Sequence, residues 1–107
     1  FRAGYVSAAQ WNSANIGSVS FAANSGTTAS GAGSAAFNNG TTASGVNTFA
    51  SGFGSVASGS NSFASGYQTT AAGDNSFTLG REVDISGAGD GSMAIGLTTA
   101  AQATNPV

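Results

Sequence analysis

The chain has 107 residues, of which Ala, Gly, Ser and Thr supply 66 and Leu, Ile, Val and Phe only 18, too few large apolar side chains for an ordinary globular core. Two Arg against four acidic residues leave a net charge of −2, which excludes nucleic acid as a partner because phosphates would go unneutralised. With no His and no Cys, thiolate, imidazole and disulfide chemistry are absent, so neither an enzyme nor a cofactor or metal is expected, and the apolar runs are too short for membrane contact.

Residues 1–16 read as a partial first coil, with Phe1, Tyr5 and Trp11 off the repeat and placed to cap it. From residue 17 a period of seven sets in. Glycine falls at 17, 31, 45, 52, 59, 66, 73, 80 and 87, with Asn24 and Asn38 in the gaps. Gly and Asn are the residues that best tolerate a left-handed backbone, so Gly31, Gly45, Gly52, Gly59, Gly66, Gly73 and Gly80 are expected at tight corners of positive φ. Three residues after each corner stands a hydroxyl (Ser20, Thr27, Ser34, Thr41, Thr48, Ser55, Ser62, Thr69, Ser76), and five after it an Ala (Ala22 through Ala71).

A coiled coil shares the period of seven, but glycine in every heptad costs about 1 kcal/mol each in a helix, and no apolar a/d pair recurs. Collagen would need glycine at every third position. A short strand fits, because hydroxyl and Ala lie two apart and share one face. Strand, corner, strand, corner closes a flattened coil of two heptads, and stacked coils make an all-β, parallel β-solenoid of about 14 residues per coil.

The residue four after the corner separates the two halves of each coil. One set reads Phe21, Ala35, Phe49, Phe63, Phe77; the other reads Thr28, Thr42, Val56, Thr70, Asp84. Ser, Thr and Ala fill the interior, where only small side chains are expected to fit, so Phe points outward. Phe37 and Leu79 join the stripe from two positions on, and Ala35 leaves a gap in it. Soluble monomers rarely expose such a patch, which predicts self-association through Phe21, Phe37, Phe49, Phe63, Phe77, Leu79, Met93 and Ile95. The polar strands carrying Thr28, Thr42 and Thr70 remain as an exposed binding face.

The phase slips after Gly87, and Gly89 and Gly96 carry it on two residues late. Residues 81–91 are therefore read as an irregular coil with a two-residue insertion inside repeats spanning 17–96. Residues 97–107 are read as a tail or the start of a further segment. Glu82, Asp84 and Asp90 gather near the insertion, beside GAGDGS (87–92), which faintly matches calcium-binding glycine–aspartate repeats. Those sites need the motif on successive coils, so a solvated loop is expected. Asn39-Gly40-Thr41 is a single match to a glycosylation sequon.

SNSFASG (60–66), DNSFTLG (74–80) and DGSMAIG (90–96), alternating with TTASG-type coils, resemble the head repeats of YadA-like trimeric autotransporter adhesins, repeats also present in phage tail and surface fibres. The resemblance implies a left-handed β-roll, a homotrimer with the larger apolar side chains inside, and an extracellular place on a cell or virion surface. It also implies adhesion to a host cell, a matrix protein or a glycan receptor. Mostly Phe stands where the family usually carries Val and Ile. A phage fibre segment is the alternative owner. A third reading, an ice-binding solenoid, rests on the Thr pairs 27/28, 41/42 and 69/70, which Ser55-Val56 interrupts.

Overall fold

A computed structural model describes residues 1–4, 12–86 and 90–97. Five-residue strands built around the Phe positions alternate with two-residue strands built around the Thr positions. The first group is β1 (Arg2–Ala3), β2 (Phe21–Ala23), β4 (Ala35–Asn39), β6 (Phe49–Phe53), β8 (Phe63–Tyr67), β10 (Phe77–Arg81) and β12 (Met93–Leu97), of which β1 and β2 are shorter. The second is β3 (Thr28–Ala29), β5 (Thr42–Ala43), β7 (Val56–Ala57), β9 (Thr70–Ala71) and β11 (Asp84–Ile85). Each group forms its own sheet, every described pairing is parallel, and neighbouring strands are one coil apart in sequence. The result is the parallel β-solenoid expected from the heptads, 37 × 21 × 15 Å along its principal axes.

The interior is a column of small side chains. Ala36, Ala43, Ala50, Ala57, Ala64 and Ala71 are fully buried, as are Thr27, Thr41, Ser55 and Thr69. A buried hydroxyl needs a partner, and the coil supplies one at most levels. Ser34, Thr48 and Ser76 donate to the carbonyls of Gly31, Gly45 and Gly73, three residues back, at 2.7, 2.9 and 2.6 Å. In the other half-coil Ser55 donates to Gly66 O at 3.0 Å, and Thr69 to Ser55 Oγ at 3.0 Å. Thr48→Val keeps the shape and removes the hydroxyl, leaving the Gly45 carbonyl short of a donor. It should cost about 1–2 kcal/mol, read as a lowered midpoint in chemical denaturation.

The corners depart from the expectation. Positive φ does occur at Asn24, Asn38, Gly52, Gly66 and Gly80, but Gly31, Gly45, Gly59 and Gly73 are outside the left-handed region. The regular left-handed position is two residues after each corner: residues 19, 26, 33, 40, 47, 54, 61, 68, 75 and 82 all have φ between 52° and 68°. That conformation turns the amide along the long axis, where it donates to the preceding coil, as Asn61 N does to Val46 O and Gln68 N to Phe53 O, at 2.8 and 2.7 Å. The corner glycines answer to space instead. A Cβ on Gly31, Gly45 or Gly59 would run into the backbone of the glycine one coil on. Gly52, Gly66 and Gly80 moreover lie inside β6, β8 and β10, pairing in register through the bend.

The interior is also less uniform than small side chains alone would make it. Val83 and Ile85 occupy the hydroxyl and Ala positions of their half-coil and are buried with Ala94, while Thr78 takes an Ala position at zero exposure. β11 keeps the fourteen-residue register with β9 through Ile85. Phe77 then pairs with Met93 and Leu79 with Ile95, sixteen residues apart. The two extra residues thus enter between Ile85 and Met93.

Candidate interaction faces

Side chains one residue out of phase with the buried column point away from it, and the longer sheet presents them as files. The first file is Phe21, Ala35, Phe49, Phe63, Phe77 and Met93; the second is Ala23, Phe37, Ser51, Ser65, Leu79 and Ile95. All eight residues expected at a self-association surface therefore share one face. Phe49, Phe63 and Phe77 stack nearly parallel, with centroids 5.1 and 4.7 Å apart. Offset stacking at such spacings adds about 0.5–1.5 kcal/mol per pair beyond area burial.

The gap expected at Ala35 is closed. Phe37, in register with Ala23 and Ser51, leans its ring between Phe21 and Phe49, at 5.0 and 5.5 Å. Phe1 extends the ladder at the other end, stacking on Phe21 at 4.7 Å although still 71% exposed. Its place is on the file rather than off it, because Arg2 pairs with Ala22 and so sets Phe1 level with Phe21. An offset of twenty residues hides that alignment from a heptad count. Tyr5 and Trp11 lie outside the described residues.

A third file lies outside the faces expected from the sequence. Phe53 and Tyr67 stack at 5.3 Å along the edge of the longer sheet, and the Arg81 guanidinium lies 5.4 Å from the Tyr67 centroid while pairing with Glu82 at 3.7 Å. The signal for it is the spacing, since 53, 67 and 81 are fourteen apart. Both rings stay partly exposed, Phe53 at 47% and Tyr67 at 42%.

On the shorter sheet Thr28, Thr42, Val56, Thr70 and Asp84 form one half-buried file in register. Their neighbours Thr27, Thr41 and Thr69 are turned inward, so one hydroxyl of each pair, not two, faces out. Amide pairs line both edges between the sheets. Asn24 donates to Asn38 at 3.3 Å where the longer strands end, and an amide ladder runs along the other edge, where Asn47 donates to Asn61 and Asn61 to Asn75, at 3.4 and 3.3 Å. Asp74 and Asp90 continue this edge by accepting the backbone N–H groups of Ser60 and Asp74, at 2.7 and 2.9 Å. Asp84 lies apart on the sheet face. Among the described residues no three acidic side chains converge as metal ligands.

Two short-stranded sheets around a column mostly of Ala, Ser and Thr, with an aromatic ladder on one outer face, define a repeat-built parallel β-solenoid. Residues 43–68 and 57–81 each match the YadA head domain repeat, so the resemblance read from 60–66 and 74–80 is shown over 43–81. No curated protein and no solved structure matches the chain. No helix among the described residues is long and apolar enough to cross a membrane.

Proposed function

We propose that this chain is a structural and adhesive segment of a homotrimeric surface fibre, a left-handed β-roll that acts by geometry and multivalency rather than by catalysis. The continuous aromatic ladder from Phe1 to Phe77 carries the reading. An apolar face of that length is rarely left to water, and its first two files contain no charged side chain between residues 21 and 95. Copies of the same chain can therefore meet there without like-charge repulsion. The match to the YadA head domain repeat over 43–81 supports an extracellular, adhesin-like setting.

In that assembly the Thr file and the amide ladder remain outside. Three equal polar faces raise avidity for a repetitive target such as a host surface, matrix protein or glycan, without one strong site. Light scattering on the purified chain tests the assembly. About three times the 10.2 kDa chain mass is expected. A monomer overturns the reading and directs attention to the Thr28/Thr42/Thr70 file and an ice-affinity assay.

A further inference from the structure

We infer that the reversed level of the apolar face, Ala35 with Phe37, sets the axial register in which copies of this chain assemble; the inference rests on the trimeric reading above. From one end the face reads Phe21/Ala23, Ala35/Phe37, Phe49/Ser51, Phe63/Ser65, Phe77/Leu79 and Met93/Ile95. Levels 49/51 and 63/65 are chemically identical, so a slip of one coil between copies is silent there. With no charge in either file, ion pairing cannot distinguish the registers, and shape must do so.

Level 35/37 differs from its neighbours in shape. Its large side chain enters from the second file and its first file holds only a methyl group. The Phe37 ring is tilted 32° and 35° to Phe21 and Phe49, whereas Phe49–Phe63 and Phe63–Phe77 lie within 8° and 7°. In register, three such levels meet their own copies. Displaced by one coil, the tilted Phe37 ring that covers Ala35 in one copy meets Phe49 with Ser51 of another, a level whose ring is in the first file and whose second file holds only a small side chain. Leu79, Met93 and Ile95 are large in both files, and Met adapts readily to a displaced neighbour.

The test exchanges the level for the one that follows it, Ala35→Phe/Phe37→Ser. The chain has no Cys, so Ser44→Cys and Ser86→Cys, both at exposed positions and three coils apart, carry unlike spin labels on two batches of chain that are refolded together. The unexchanged chain should give one narrow set of inter-label distances. The exchanged chain should keep its mass and broaden that set to both sides, because a slip of one coil lengthens or shortens the axial component of a 44-to-86 distance by about 4.8 Å. A trimer whose exchanged form stays as narrow as its parent overturns the register inference alone; a monomeric parent overturns the assembly and the inference together.

Should the exchanged chain lose its strand signal in circular dichroism, a second variant leaves 35 and 37 untouched. Phe49→Ala/Ser51→Phe copies the reversed level one coil on. Refolded together with differently tagged parent, it should sort into its own assemblies, so that native mass spectra show mixed trimers well below their statistical share. Statistical mixing overturns the inference.

Discussion

Replacing Phe63 by Ser is expected to dissolve the assembly while leaving the coil standing. Phe63 lies in the middle of the ladder, stacked on Phe49 and Phe77 at 5.1 and 4.7 Å, and its side chain takes no part in the buried column of Ala64 and Ser62. Burying a Phe contributes roughly 1.5–3 kcal/mol. Because most of the residue is already covered within its own chain, about a third of that, up to about 1 kcal/mol, is left for assembly. Lost three times in a trimer, that is up to about 3 kcal/mol, or on the order of a hundredfold in the assembly constant. Light scattering should show the mass falling towards that of one chain at concentrations where the parent remains assembled. Val46→Ser is the control: Val46 is 49% exposed beside a corner, away from the ladder, and its loss should leave the mass unchanged. Equal masses for the parent and the Phe63 variant would remove the ladder from the interface.

Gly59→Ala is expected to destabilise the coil strongly, and for a reason that is not conformational. The backbone there is outside the left-handed region, so conformation alone would admit Ala; the added methyl instead meets the carbonyl of Gly73. Relief requires the two coils to part at that corner, where Gly59 N donates to Ala71 O at 3.2 Å and Asn75 N to Ser60 O at 2.8 Å. Overpacking against rigid backbone costs about 3 kcal/mol. Gly40→Ala separates the two causes. Gly40 has φ of 66°, and a methyl added there meets nothing within 4 Å, so only the left-handed penalty of roughly 1–2 kcal/mol applies. Denaturation midpoints should therefore fall further for Gly59→Ala than for Gly40→Ala. The reverse order would mean that conformation, not coil spacing, selects glycine at the corners.

The parts of the fold that repeat with fixed spacing are legible in the sequence alone. Hydroxyl and Ala two residues apart define the inward face, the alternation of Phe and Thr defines two different sheets, and Gly89 with Gly96 marks the displaced frame that Met93 and Ile95 follow. What escapes depends on distance between coils rather than on position within one. Gly59 looks like a turn former in one dimension and is a spacer in three. The true left-handed series carries Val19, Gln68 and Glu82 among its Gly and Asn residues, which blurs the pattern; axial hydrogen bonds to Phe53 O and Tyr67 O hold Gln68 and Glu82 there. Phe37 reads as a second-file residue, and only the empty space over Ala35 lets its ring bridge the first. Val83 and Ile85 break the small-residue interior in the half-coil just before the two extra residues, which a heptad count does not foretell.

The backbone hydrogen bonds between coils run along the long axis of the molecule, as from Phe49 N to Ser62 O and from Gln68 N to Phe53 O. A pull along that axis therefore loads these bonds lengthwise, and the outermost coil yields before its neighbours share the strain. Each coil that lets go releases about 14 residues, or roughly 46–50 Å of extended chain, in place of a rise near ~4.8 Å. Under tension the segment lengthens in discrete steps of about tenfold local extension, so a tether built this way absorbs a sudden load coil by coil instead of passing it whole to whatever it holds.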